Sequence, residues 1–571
     1  MRAWITYIAA VLLVFTAAAQ ENPIIIVGNV QRTVEPAYRI SGNPDIIDTT
    51  ISAYIVEYPL LAVQYPTSIA LDTIDAAKVK NTEKLSQLYP FYAKVGVGSE
   101  LMPLGEFYFD SKRSRKYLYG LHAKHLSSYG NIKNYAPAQF DRTRLDAYGA
   151  INEGNYTVKG DLHYYNQGFH YYGWPIPTDS VDRDSIRQRY QDLGGEFSFA
   201  SHKKDSANLN WQSGLEYNYF SALKPDQDTL AEWRGRENYF AIKTAASYKL
   251  NKEVFAGEFN IRYNGYRYGE QDTSISLLDT GIYLNNTVVN FKPTVSTYLK
   301  DNRFKATIGL DLVIDAHKRT RAHVYPVAEV KYSLFNDIFI PYLGLRGGLQ
   351  QQTYRSLSQE NEFVLTNLEL RNQNTVMDFY GGIKGTLSKR ISFNASASFA
   401  QVRDMAFFLT DTVYSVGNKF AVAYDTVSVT TVEGALSYQL DEKLKIDGIG
   451  RFWSYQLNNF AYAWNMPQLQ FILRGHYNLF DKFIVNVDLD LEQGRKALVY
   501  AMEPENVELI DGQYVKTLGF LADANLGFEY RYNKRVSAFI QFNNLASQRY
   551  FRWYNYPVQV FQVMGGLTAR F

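Results

Sequence analysis

From residue 91 to the C-terminus the chain reads as strand after strand, and the turns between strands alternate in length. One set is short and rich in Asn and Asp: 152–155, Asn251-Lys252, 300–303, Asn336-Asp337, 388–390, Asp441-Glu442-Lys443, Asp481-Lys482 and Asn533-Lys534-Arg535. Asn and Asp tolerate positive φ and bond their own backbone, so such pairs make hairpin turns. The other set is longer and polar: 129–141, 173–187, 223–236, 270–280, 357–373, 409–429, 457–465 and 499–515. Short turns on one side and long loops on the other imply an antiparallel transmembrane β-barrel, with short periplasmic turns and long extracellular loops.

The strands carry the period that such a wall needs. In the last one, Phe561, Val563, Gly565, Leu567, Ala569 and Phe571 share a face opposite Gln562, Met564, Thr568 and Arg570. Ile391 to Ala400 alternates apolar residues with Ser392, Asn394, Ser396 and Ser398. Phe483 to Leu491 alternates apolar residues with Asn486, Asp488 and Asp490. Period two puts one set toward lipid and the other toward the lumen. Carboxylates on the inner set require a watery or ion-paired interior, because a charge facing the bilayer core costs kilocalories. We mark out 22 strand cores, from 91–99 and 104–110 through 339–356, 391–408 and 430–441 to 536–549 and 558–571. The final strand must run toward the periplasm, so the loop before it (550–557) faces outward.

Composition agrees. Aromatic residues make up 15%, with 46 Tyr and 35 Phe, yet mean hydropathy is −0.28. Helical membrane proteins need about 20 consecutive apolar residues per span. One candidate exists, Met1 to Ala19, and its Arg2, apolar run and Ala17-Ala18-Ala19 exit read as a signal peptide. Zero Cys excludes a disulfide scaffold and lipid attachment through Cys. The net charge of +2 gives no reason to expect nucleic acid. Residues 20–90 differ from the rest, with scattered Pro, an apolar patch at Ile24–Val27 and a short helical pattern at Ala76–Leu88. The expected organisation is a signal peptide at 1–19, a short N-terminal segment at 20–90 and the barrel at 91–571.

At both ends of the barrel the residues resemble the TonB-dependent receptor family. Gly96-Val97-Gly98-Ser99 leads into a tight hairpin like the one that opens those barrels. Asn543, Asn544, Leu545, Tyr550, Trp553, Tyr556, Pro557, Gly565, Gly566 and Phe571 resemble the family's closing signature. The Tyr-rich style, with the run Ser111 to Ser128, is similar to members from Bacteroidota. The resemblance implies a barrel of 22 strands in the outer membrane and passage of a solute. The sequence departs from the family ahead of the barrel. The family's plug is well over 100 residues, whereas 20–90 is short and lacks the plug's glycine-rich motifs. Asn22–Val27 is a faint echo of a TonB box, which leaves TonB a doubtful partner.

No constellation for catalysis, cofactor or metal binding stands out, and the chain is expected not to be an enzyme. His122 and His125 have opposite parity on one strand. His163 and His170 read as aromatic strand ends, and Asp179–Asp184 as a solvated loop. Tyr217–Phe220, Tyr263–Tyr268 and Tyr550–Tyr556 read as an outer aromatic girdle. The leading expectation is a barrel for uptake or passage of a solute, with outer-membrane lipid around it. The alternative is a non-transporting subunit of an outer-membrane assembly or secretion complex. A surface lipoprotein or another assembly subunit is the partner left open. A barrel with a reduced plug must be blocked by infolded loops or partners.

Overall fold

A computed structural model describes residues 88–571 apart from 174–180, 203–208, 224–225, 228–231, 270–281, 301–302, 500–506 and 511–512. The expected signal peptide, the N-terminal segment through residue 87 with its helical pattern, the loop 270–280 and the start of the acidic loop Asp179–Asp184 fall outside the described residues.

Twenty-two strands form one closed antiparallel sheet, as expected. The last strand, Gln562–Arg570, pairs with the first, Phe91–Gly98, from Tyr92 opposite Arg570 to Gly98 opposite Met564. Backbone bonds between Phe91 and Phe571, at 3.0 and 3.1 Å, continue the seam beyond it. Closure leaves no edge strand, so each strand has a neighbour on both sides for its backbone groups, as hydrocarbon demands.

Alternation sorts the two faces. On Phe304–Ala316, Ile308, Leu310, Leu312 and Ile314 are exposed on the outside while Val313 is buried within. On the last strand Leu567 is exposed, whereas Met564 and Thr568 are buried. An apolar exterior is costly in water and at home in lipid, since burying each Leu or Ile stabilises by about 1.5–3 kcal/mol. The inner face carries cross-strand ion pairs, such as Arg451–Glu433 at 2.7 Å and Arg346–Asp378 at 2.8 Å. The inner carboxylates of Phe483–Gln493 are also engaged. Asp488 lies 3.5 Å from Arg474, and Asp490 accepts from Gln470 Nε2 at 3.2 Å.

The short turns use the expected chemistry. Asn251, Asn336, Asp337, Asp441 and Asp481 all take positive φ, between 51° and 67°. Asn533 acts through its side chain, whose Oδ1 accepts from the amides of Arg535 and Val536. At the seam Gly566 lies opposite Gly96, and the inward ring of Phe539 covers both. A Cβ on Gly566 would sit 2.1 Å from the Val95 carbonyl oxygen. Gly566→Leu is therefore expected to cost about 1–3 kcal/mol through overpacking. Heat-modifiable gel mobility should show it as unfolding at a lower temperature.

Three expectations about the long-loop side need correction. The loop placed at 409–429 is only 412–418, because Ile391–Asp411 and Lys419–Leu440 run on as one tall hairpin. Polar residues in 419–429 disguised an alternating strand. The strand placed at 339–356 ends at Gln350 and gives way to a helix, Tyr354–Glu360. The loop 499–515 contributes to a small three-stranded sheet of Lys496–Val499, Val507–Ile510 and Gln513–Thr517.

Candidate functional site

The segment 351–372, between the thirteenth and fourteenth strands, folds into the mouth of the barrel. It begins with a helix whose start is written locally. Thr353 Oγ1 accepts from the Ser356 amide at 3.0 Å, and Ser356 Oγ accepts from the Thr353 amide at 2.9 Å. This reciprocal cap satisfies two of the helix's free amides. Two more are taken by the wall: the buried Glu237 carboxylate accepts from the amides of Tyr354 at 2.5 Å and Arg355 at 3.4 Å. Arg355 Nε then reaches Asp192 Oδ2 at 2.7 Å.

A loop buried in a protein must place its backbone polar groups, and this one uses the wall to do so. Tyr190 donates to the Glu362 carbonyl at 3.0 Å, and Tyr424 to that of Glu369 at 2.7 Å. Tyr266 donates to the carbonyl of Thr366. The Leu365 amide donates to Phe420 and the Phe420 amide to Phe363, both at 2.9 Å. Asn372 is locked between Asn286 and Asp315. At the rim, the Lys318 hydrogen bond holds the Glu369 carboxyl below its usual range, with Arg371 adding to the effect.

The apolar side chains of the segment build a core inside the mouth. Tyr354, Leu357 and Val364 are fully buried. They join a cluster with Phe169, Tyr190, Phe220, Tyr266, Phe408, Phe420 and Tyr556. Phe363 stacks on Tyr556 at 3.6 Å and meets Phe169 edge-on at 5.7 Å. The tall hairpin leans in as well: Asn418 Nδ2 at its tip donates to the Tyr171 carbonyl at 3.1 Å. Tyr171 follows the fifth strand and Asn418 precedes the sixteenth, eleven positions apart in a ring of 22. Opposite walls are thus tied together across the opening.

This places the aromatic clusters differently from expectation, and parity is the reason. Tyr217 and Tyr263 face outward, as a girdle would. Phe220 and Tyr266 face inward on the same strands, and Tyr556 comes in from its loop. The expected girdle is half mouth core. His163 lies on the inner wall with Nε2 3.7 Å from Asp192, and His170 is buried with Nδ1 2.6 Å from the Gln139 carbonyl. Neither is a girdle residue. His122 bridges Asp146 at 3.0 Å and Glu106 at 3.2 Å.

Beneath the segment lies a chamber of about 840 Å³. Its wall brings Arg142, Arg144, Asp146, His163 and Asp192 to face Arg355, Glu362 and Phe363 of the segment. At this chamber two ion pairs cross from wall to segment, Arg142–Glu362 at 3.1 Å and Arg355–Asp192 at 2.7 Å. Two smaller spaces, of about 320 and 380 Å³, adjoin it around Arg552. Among the described residues no group of three or more His, Asp or Glu is placed to hold a metal ion.

The residues of the C-terminal signature fall into three places. Asn543, Asn544, Tyr550 and Tyr556 line the 380 Å³ space, and Trp553 lines the other two. Asn544 ties down the loop before the last strand: its Nδ2 donates to the carbonyls of Gln548 at 2.8 Å and Gln559 at 2.9 Å. Trp553 packs edge-on against Phe408 at 5.0 Å. Pro557 is buried, and its carbonyl accepts from Tyr172 at 3.1 Å. Leu545 is exposed, Gly565 and Gly566 lie in the seam, and Phe571 stacks on Phe91 at 5.4 Å. The residues that sequence reasoning missed are those of 351–372. The cap pattern Thr353-x-x-Ser356 ahead of Leu357 was the available signal.

Glu237→Ala would remove the acceptor of two helix amides, and an unsatisfied buried donor costs about 1–3 kcal/mol. The expected result is faster proteolytic cleavage within 351–372 from the long-loop side, with heat-modifiable mobility unchanged.

No protein-family model and no curated protein matches the chain. Solved structures do match in fold. Over 86% of this chain and 79% of the other, it is similar to the pyoverdine outer membrane receptor FpvA from Pseudomonas aeruginosa PAO1, at 10% identity and a TM-score of 0.62. The copper transporter OprC matches over 86% of this chain and 82% of its own, at 12% identity and 0.60. The ferric-catecholate import receptor Fiu from K12 E. coli matches over 85% and 82%, at 12% identity and 0.59. At such identities the likeness is one of fold.

Proposed function

We propose that this protein is an outer-membrane barrel, similar to TonB-dependent receptors, that takes up or passes a solute through a mouth closed by its own chain. The observation that carries the reading is the segment 351–372, packed across the opening above a chamber of about 840 Å³. That volume is within the range of ligand pockets, and its mix of aromatic and paired charged groups suits a polar solute. The receptors and the copper transporter of like fold support transport as the task. The proposal includes a signal peptide at 1–19, a reduced plug or periplasmic extension at 20–90 and a Bacteroidota-type origin. It also includes the closing signature from Asn543 to Phe571.

Single-channel recording of the full chain in a planar bilayer tests this. Transport through a movable segment predicts brief openings from a closed baseline. It also predicts their loss when an engineered disulfide ties the segment to the wall; the chain has no Cys of its own to interfere. The rival reading, a non-transporting subunit of an assembly or secretion complex, draws on the same dense packing in the mouth. It predicts permanent silence from folded protein and a partner that co-purifies in mild detergent.

A further inference from the structure

The short-turn side of the barrel carries a concentration of positive charge at the seam. The turn 111–116, S-K-R-S-R-K, joins the second and third strands, and Lys534-Arg535 joins the twentieth and twenty-first. Only the two seam strands and one neighbour on each side separate these turns. At the usual spacing between strands they stand roughly 20 Å apart along the rim. Lys112, Arg113, Arg115, Lys534 and Arg535 are all exposed.

The nearby side-chain carboxylates are already taken. Glu153 pairs with Lys116 at 2.6 Å, Glu529 lies 3.7 Å from Arg531 and 3.9 Å from Arg570, and Asp110 accepts from Tyr148. The other five cations make no ion pair among the described residues. Like charges gathered on one rim repel, and the repulsion is relieved by anions brought from outside.

A second, independent feature says where this rim sits. On the outer face immediately below it, four aromatic rings form a row across the seam. Phe571 stacks on Phe91 at 5.4 Å, Phe91 on Phe109 at 4.9 Å, and Phe109 meets Tyr119 at 6.0 Å. Tyr117, Tyr532 and Phe571 are exposed on the same edge. Aromatic side chains on the outside of a barrel take the level of the lipid headgroups. Lys112 and Arg115, three and four residues beyond Phe109 and Tyr119 of that row, stand at the level of the phosphates.

We propose that this basic arc binds the phosphates of anionic lipids in the leaflet on the short-turn side, anchoring the seam of the barrel. The surface commits to lipid rather than to an acidic protein because the aromatic row leads directly into it. A basic residue near an anionic leaflet contributes about fivefold in affinity, an effect that salt screens. The inference depends on the chain spanning a membrane and is independent of what the barrel transports.

The test is electron spin resonance of the full chain in vesicles, comparing spin-labelled phosphatidylglycerol with spin-labelled phosphatidylcholine in the motionally restricted shell. Wild type is expected to favour phosphatidylglycerol severalfold, less so at high salt. The variant carrying K112Q, R113Q, R115Q, K534Q and R535Q should take up both lipids equally while keeping its heat-modifiable mobility. Equal association in wild type, or an unchanged preference in a folded variant, overturns the proposal. If the variant fails to fold, Tyr532→Trp in the otherwise intact chain supplies the reading. Quenching of the added indole by brominated phosphatidylglycerol more than by brominated phosphatidylcholine supports lipid binding. Equal quenching by the two, or access only to an aqueous quencher, overturns it.

Discussion

Replacing residues 351–372 with a two-residue Asn-Gly turn is expected to open the barrel. Gln350 and Gln373 are directly paired, so a hairpin of that length can join them without disturbing the wall. The replacement removes Tyr354, Leu357, Val364 and Leu370 from the mouth core, together with Glu362 and Arg355 from the chamber. A ring of 22 strands encloses a lumen that needs filling, so conductance should rise about tenfold or more over the intact chain. Liposome swelling with small sugars gives the same readout without a voltage. Unchanged permeability in a folded variant would mean that 351–372 is not what closes the barrel.

Tyr354→Ala is the point substitution with the largest expected effect. The ring stacks on Tyr266 at 5.1 Å and meets Phe220 at 5.4 Å and Tyr190 at 6.1 Å. It is wholly buried at the start of the helix, where Glu237 also takes hold. Truncating a buried aromatic ring costs about 3–5 kcal/mol, from lost contact and the cavity left behind. The cost falls on the docking of 351–372 rather than on the ring of strands, whose hydrogen bonds do not pass through Tyr354. The expected signature is therefore split. Amides of 354–370 should exchange with solvent some hundreds to thousands of times faster, the equivalent of that energy. The heat-modifiable transition should move little. A large fall in the global transition instead would show that the mouth core supports the barrel itself.

The barrel was legible in the sequence because its determinants are local. Period-two patterning sets a strand's two faces, as in Ile308 to Ile314, and Asn251 or Asp481 marks a turn within two residues. Strand number and closure follow from counting such units. The mouth was not legible, for a physical reason. Whether Tyr266 joins a girdle or a core depends on what stands opposite it in the lumen, and Thr366 lies 100 residues away in sequence. Parity alone separates outward Tyr217 and Tyr263 from inward Phe220 and Tyr266, yet it does not say that an apolar loop will come to meet the inward pair. The alternation of Phe420, Val422 and Tyr424 is masked by Asp425, Thr426 and Ser428, whose polarity gives the stretch the character of a loop. The helix Tyr354–Glu360, at seven residues, is too short for helical periodicity to show, and its cap was the one local signal, unused in the expectation of a strand over 339–356. Pairings such as Arg142–Glu362 join residues 220 apart and leave no local trace.

In the membrane-embedded protein the segment 351–372 is expected to lie folded into the opening. Hydrogen–deuterium exchange of the full chain reconstituted in vesicles tests it most directly. The amides of Tyr354, Arg355, Leu357 and Leu365, bonded to Glu237, Thr353 and Phe420, are expected to exchange far more slowly than those of the exposed hairpin tip at Val413 and Val416. Exchange of the segment as fast as that of the tip would contradict it, and would return the barrel to an open pore that something else must close.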